Sequence, residues 1–61
     1  MFKLTKFSGE EFLLNPELIK LVEEAGDTVI TLTTGDRMLV RESAEDIQVM
    51  FLKYKMALVR Q

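Results

Sequence analysis

Three carboxylate pairs, Glu10-Glu11, Glu23-Glu24 and Glu45-Asp46, are the residues whose types and spacing could do chemistry. Two neighbouring acids can act as general acid and general base when their environments push their proton affinities apart. Each pair sits beside a turn or a helix start, where solvation or the helix dipole accounts for it, so none is expected to be buried. Nucleophilic catalysis needs Ser, Thr or Cys beside a base, and the chain has neither His nor Cys. Ser8 and Ser43 then read as a turn residue and a cap. The usual zinc ligand sets are missing, and three glycines standing apart make no phosphate-binding loop. An enzyme is not expected, nor a cofactor or a metal, which leaves recognition as the chemistry to look for.

The elements that must carry a recognition surface are arranged around Thr28 to Ser43, where two β-rich runs flank Thr34-Gly35. As a two-residue loop, with Gly35 supplying a positive φ, this pairs Leu32 with Arg37, Thr31 with Met38, Ile30 with Leu39 and Val29 with Val40. Alternation places Ile30, Leu32 and Leu39 on one face, and Val29, Met38 and Val40 on the other. Ser8-Gly9 reads the same way, so that Lys6 faces Glu11, Thr5 faces Phe12 and Leu4 faces Leu13. Gly9 and Gly35 are thus the turn glycines of two tight hairpins with a similar local grammar. Between them, Asn15, Pro16 and Gly26 fit the cap, first position and end of a short helix. Ile19 to Val22 also fit a strand. The reading adopted is one helical turn over Pro16–Leu18, a strand to about Glu24, and a turn at Gly26-Asp27.

Ser43 and Asp46 form a capping-box pattern, with Asp in place of the usual Glu, and mark the N-terminus of a helix that no Gly or Pro interrupts. At about 100° per residue, Ile47, Met50, Phe51, Tyr54, Ala57 and Leu58 share one arc, the expected core face. Val49, Leu52, Met56 and Val59 lie opposite, at the spacing of a and d positions in a heptad. Lys53 and Arg60 line one border of that second stripe, Gln48 and Lys55 the other. One helix cannot bury two apolar stripes against one small sheet, so the second is expected to be an oligomer or partner interface. The bland alternatives are a sheet that curls around the helix and a frayed chain end.

The expected fold is α+β: a single domain, 1–61, with a small antiparallel β-meander of about five strands over 1–42 and one C-terminal helix over 43–61. Ordering 61 residues costs about 90 kcal/mol, at about 1.5 kcal/mol each, which burial in so small a monomer barely offsets. With no Cys for a disulfide, oligomerisation is the remaining staple, and a homo-oligomer is expected. The net charge of -2 gives no overall field favouring nucleic acid. A curved sheet with Lys3, Lys6, Phe7 and Phe12 could in principle stack and neutralise a strand, but ordinary solvated lysines explain these residues more simply. Lys53, Lys55 and Arg60 provide at most weak attachment to anionic lipid. The apolar runs are too short for a membrane span and no signal peptide precedes them, so a cytoplasmic location is the default.

Leu4-Thr5, Gly9-Glu10-Glu11-Phe12, Asn15-Pro16-Glu17-Leu18-Ile19, Glu23-Glu24, Asp27-Thr28-Val29-Ile30-Thr31-Leu32 with Gly35, and Val40-Arg41-Glu42-Ser43 together resemble the FlbD/SwrD family of very small bacterial flagellar proteins. The resemblance runs over essentially the whole chain, in order and without gaps. It implies a cytoplasmic product of the flagellar and chemotaxis gene cluster, needed for full motility or swarming, that acts on motor power. It brings no catalytic residues. Members often have Asn-Gly and following lysines where this chain has Thr34-Gly35-Asp36-Arg37, and the C-terminal helix here is more apolar than usual. The expectation is an adaptor for flagellar motor or stator proteins, at the inner face of the membrane. The alternative is a small nucleic-acid-binding regulator of motility genes.

Overall fold

The computed structural model describes residues 1–59, the last of them for its backbone alone. In chain order these form β1 (Phe2–Thr5), β2 (Glu11–Leu14), a 3-10 turn (Pro16–Leu18), β3 (Ile19–Ala25), β4 (Asp27–Leu32), β5 (Arg37–Val40) and α1 (Ala44–Val59). The five strands of this α+β fold form two antiparallel sheets, the hairpin β1-β2 and the meander β3-β4-β5, where the sequence reading had one meander; β2 and β3 do not pair, because the 3-10 turn over Pro16–Leu18 separates them. The segment with two readings is one turn followed by a strand. Asn15 Oδ1 accepts the Glu17 N–H at 3.0 Å, and Pro16 occupies the first position, where a missing N–H costs nothing.

Both hairpins differ from the sequence reading by one residue, and in the same way. Lys6 N–H donates to Glu10 O and Gly9 N–H to Lys6 O, both at 2.9 Å; Leu32 and Gly35 repeat the pattern with Asp36 and Leu32. The loops therefore hold three residues, Phe7-Ser8-Gly9 and Thr33-Thr34-Gly35. Each closes on a glycine of positive φ, 97° at Gly9 and 95° at Gly35. A type I turn followed by a left-handed glycine is the usual three-residue solution. The register becomes Leu4 with Phe12, Lys3 with Leu13 and Phe2 with Leu14, and Ile30 with Met38, Val29 with Leu39 and Thr28 with Val40.

A one-residue slip exchanges the faces of a strand. Leu13 and Leu39, expected to face Leu4 and Ile30, are 63% and 45% exposed. Val40 and Met38, expected beside Val29, share the inner face with Ile30. A bulge at Lys20 corrects the third strand: Ile19 pairs with Leu32 and Leu21 with Thr31. The extra residue lets Ile19 and Val22 both face inward although three positions separate them.

Phe2, Leu4, Leu14, Ile30, Val40 and Ile47 are buried, and Phe12, Val22, Met38, Met50, Phe51 and Tyr54 pack against them half-buried. Phe2 meets Phe51 edge-on at 4.8 Å between centroids and Tyr54 at 6.1 Å, the arrangement favoured by ring quadrupoles.

The two sheets meet where β1 ends and β5 ends. Lys6 and Val40 form an antiparallel bridge, and Arg41 N–H donates to Thr5 O at 2.8 Å. Glu42 completes the join: its carboxylate accepts Thr5 N–H at 2.9 Å and the Thr5 hydroxyl at 2.8 Å. This join sets the two sheets side by side as one wall, with a single bridge between them. Desolvation pushes the Glu42 pKa up, and the Thr5 backbone and hydroxyl hydrogen bonds, with its own amide, overcome this and hold it below the ordinary value.

A folded pKa below the unfolded one means that the unfolded chain takes up the proton first. The clasp therefore contributes fully above the ordinary glutamate value and is lost as pH falls through the lowered one. Glu42→Gln is expected to cost about 1 kcal/mol at neutral pH and to flatten the acid side of the stability curve, read from urea midpoints across pH.

Candidate interaction surface

Three side chains, one hydroxyl and two carboxylates, fix the start of α1. Ser43 Oγ accepts the Asp46 N–H at 3.0 Å, and Asp46 Oδ2 accepts the Ser43 N–H at 3.2 Å in return. Glu24, from the end of β3, accepts the Ala44 N–H at 2.6 Å. Carboxylates at this end also suit the positive pole of the helix.

From that start, Ile47 is buried and Met50, Phe51 and Tyr54 are half-buried against the sheet. Ala57 and Leu58, expected on the core face, are exposed, Leu58 at 51%. The 16-residue helix runs about 24 Å at 1.5 Å per residue, and its last turn passes the end of the packed wall. The opposite stripe faces outward: Val49 is 44%, Leu52 57% and Met56 56% exposed. Gln48, Lys53 and Lys55 beside it are exposed too. The side chain of Val59, and Arg60 and Gln61 entirely, lie outside the described residues.

An open groove of about 370 Å³ adjoins this stripe, lined by Met1, Phe2, Lys3, Met50, Lys53 and Tyr54. The Tyr54 hydroxyl donates to Glu17 Oε2. That bond, ahead of desolvation and the Glu17 charge, holds the phenol above its ordinary pKa, so it stays a neutral donor. Sequence reasoning missed the groove, because its two sides are 47 or more positions apart and no local pattern joins them.

The residues that could have met a nucleic-acid strand do not form a free basic platform. Lys3 lies 3.7 Å from Glu11 and Lys6 3.1 Å from Glu10. Lys6 also stands 5.8 Å from the centroid of Phe12, whose ring is half-buried in the core, while Phe7 is exposed.

The carboxylate pairs are divided among structural tasks in the same way. Glu10 and Glu11 face lysines, Glu23 lies 3.9 Å from Arg37, and Glu24 and Asp46 hold the helix start. No helix among the described residues is long and apolar enough to cross a membrane.

Compared with known families, residues 1–59 match the model described as FlbD, flagellar and swarming motility proteins. No curated protein and no solved structure matches the chain.

Proposed function

The chain belongs to the FlbD family of flagellar and swarming motility proteins, and from that membership we propose that it is a non-enzymatic accessory protein that raises flagellar motor power through protein contacts. It works in the cytoplasm, at the inner face of the membrane near the motor. The observation that carries this reading is the outward stripe of α1, Val49, Leu52 and Met56. Isolated apolar side chains on a surface need no explanation, but a row at helical spacing on a rigid, capped helix is a contact surface waiting for a second protein. The acidic pairs support the same view, since ion pairs and helix capping occupy every member but Glu45.

Deletion in the native host is expected to leave filament number normal and to lower swimming and swarming speed. Counting filaments by electron microscopy and tracking single cells would check this. Missing filaments would sink the motor reading in favour of a regulator of motility genes, whose binding in a gel shift must weaken steeply as salt rises. Unchanged speed with normal filaments would remove the motility role altogether.

A further inference from the structure

We propose that the outer stripe of α1 packs against the same stripe of a second copy of this chain, with the two helices antiparallel. The inference rests on the reading of that stripe as a contact surface and names its occupant.

Charge along the helix decides the direction. Glu45 and Asp46 lie in its first turn, and Lys53 and Lys55 in its second half. Neither lysine forms an ion pair with another described residue. A parallel pair sets lysine beside lysine and Glu45 beside Glu45, and adds the two helix dipoles in the same sense. An antiparallel pair sets the acidic turn of each copy beside the basic half of the other and opposes the dipoles. A two-fold axis near the middle of α1 then stacks Leu52 on Val49 of the second copy twice, with each Met56 over the methylenes of the opposite Glu45.

Such an interface is self-complementary and closes at two copies. One helix per copy places it at the small end of specific interfaces, so the pair should form and part with concentration. The chain is small and has no cysteine to staple it, which makes a second copy a natural source of further burial.

The absence of cysteine also makes the test clean. Full-length Glu45→Cys and Met56→Cys chains are mixed, oxidised and resolved by mass. Antiparallel packing brings 45 of one copy against 56 of the other, giving the mixed disulfide and little of either homodimer. In a parallel pair those positions are about 16 Å apart along the axis, and Met56→Cys crosslinks to itself. That second outcome overturns the proposed geometry while leaving the contact surface in place.

Sedimentation of the unmodified chain should show reversible dimerisation. Lys53→Glu with Lys55→Glu should weaken it about tenfold or more, and adding Glu45→Lys should recover part of the loss. A monomer at every concentration overturns the second copy as occupant. Binding of the monomer to vesicles rich in phosphatidylglycerol, lost with the two lysines, would identify lipid in its place. The deletion phenotype reads the motility role independently of all these outcomes.

Discussion

Leu52→Glu is expected to keep the fold and abolish self-association. Leu52 is 57% exposed on the side of α1 away from the core, so the folded monomer should change in stability by no more than about 0.5 kcal/mol, as surface substitutions usually do. The effect on the pair is far larger. Two-fold symmetry inserts two carboxylates into one apolar layer, and burying each costs about 2 kcal/mol or more without a partner. The dissociation constant should rise at least about a hundredfold. Sedimentation and a thermal melt on the same sample separate the two effects, and an unchanged mass would remove Leu52 from the interface. In the native host the variant should give normal filaments that drive the cell weakly. Weak motility with unchanged mass would assign the stripe to a different protein.

Ile47→Ala is expected to be the most damaging single truncation of the helix. Ile47 is 1% exposed and, among the described residues, is the one fully buried side chain that α1 contributes to the core. Removing three carbons at such a site costs about 2–5 kcal/mol, depending on how far the neighbours close in. A folded chain of 61 residues has only about 3–9 kcal/mol in total, at 0.05–0.15 kcal/mol per residue.

The variant should therefore be largely unfolded at 37 °C, with its helical circular dichroism lost cooperatively with the sheet signal. Ile47→Val, at about 0.5–1.5 kcal/mol, should remain folded and calibrate the response. If Ile47→Ala lost tertiary structure without losing motility, presentation of the stripe by a docked helix would not be what motility needs.

The five strands and the capped helix were legible because each rests on local chemistry. Alternation, the Asn15-Pro16 turn and the Ser43-Asp46 pair all lie within a few residues. The hairpin registers were not legible, and the reason is specific. A Ser-Gly or Thr-Gly dipeptide fits a two-residue loop and equally the last two places of a three-residue loop, with the glycine at positive φ in both. The hydrophobic pattern that normally breaks such a tie is ambiguous here, since Phe12, Leu13 and Leu14 are consecutive and Met38, Leu39 and Val40 are too. Either register buries something apolar.

The surface stripe at Val49, Leu52 and Met56 was visible as a periodicity, whereas the core face was read too long at Ala57 and Leu58, which are exposed. The Glu42 clasp, the Glu24 cap and the Tyr54–Glu17 bond join residues 20 or 37 positions apart. Nothing in a local pattern marks such partners, which meet only once the strands and the helix have packed together.

The Thr5–Glu42 join also imposes an order in time. The first strand leaves the ribosome 37 residues before the side chain that ties it down, about 2–7 s at a synthesis rate of 5–20 residues per second. During that interval β1 can pair only with β2, and the β1 edge later taken by β5 stays open. Ile47 appears later still, and Leu52 and Met56 after it. The newborn chain thus receives its last fully buried core side chain, Ile47, before it exposes the stripe by which copies could adhere.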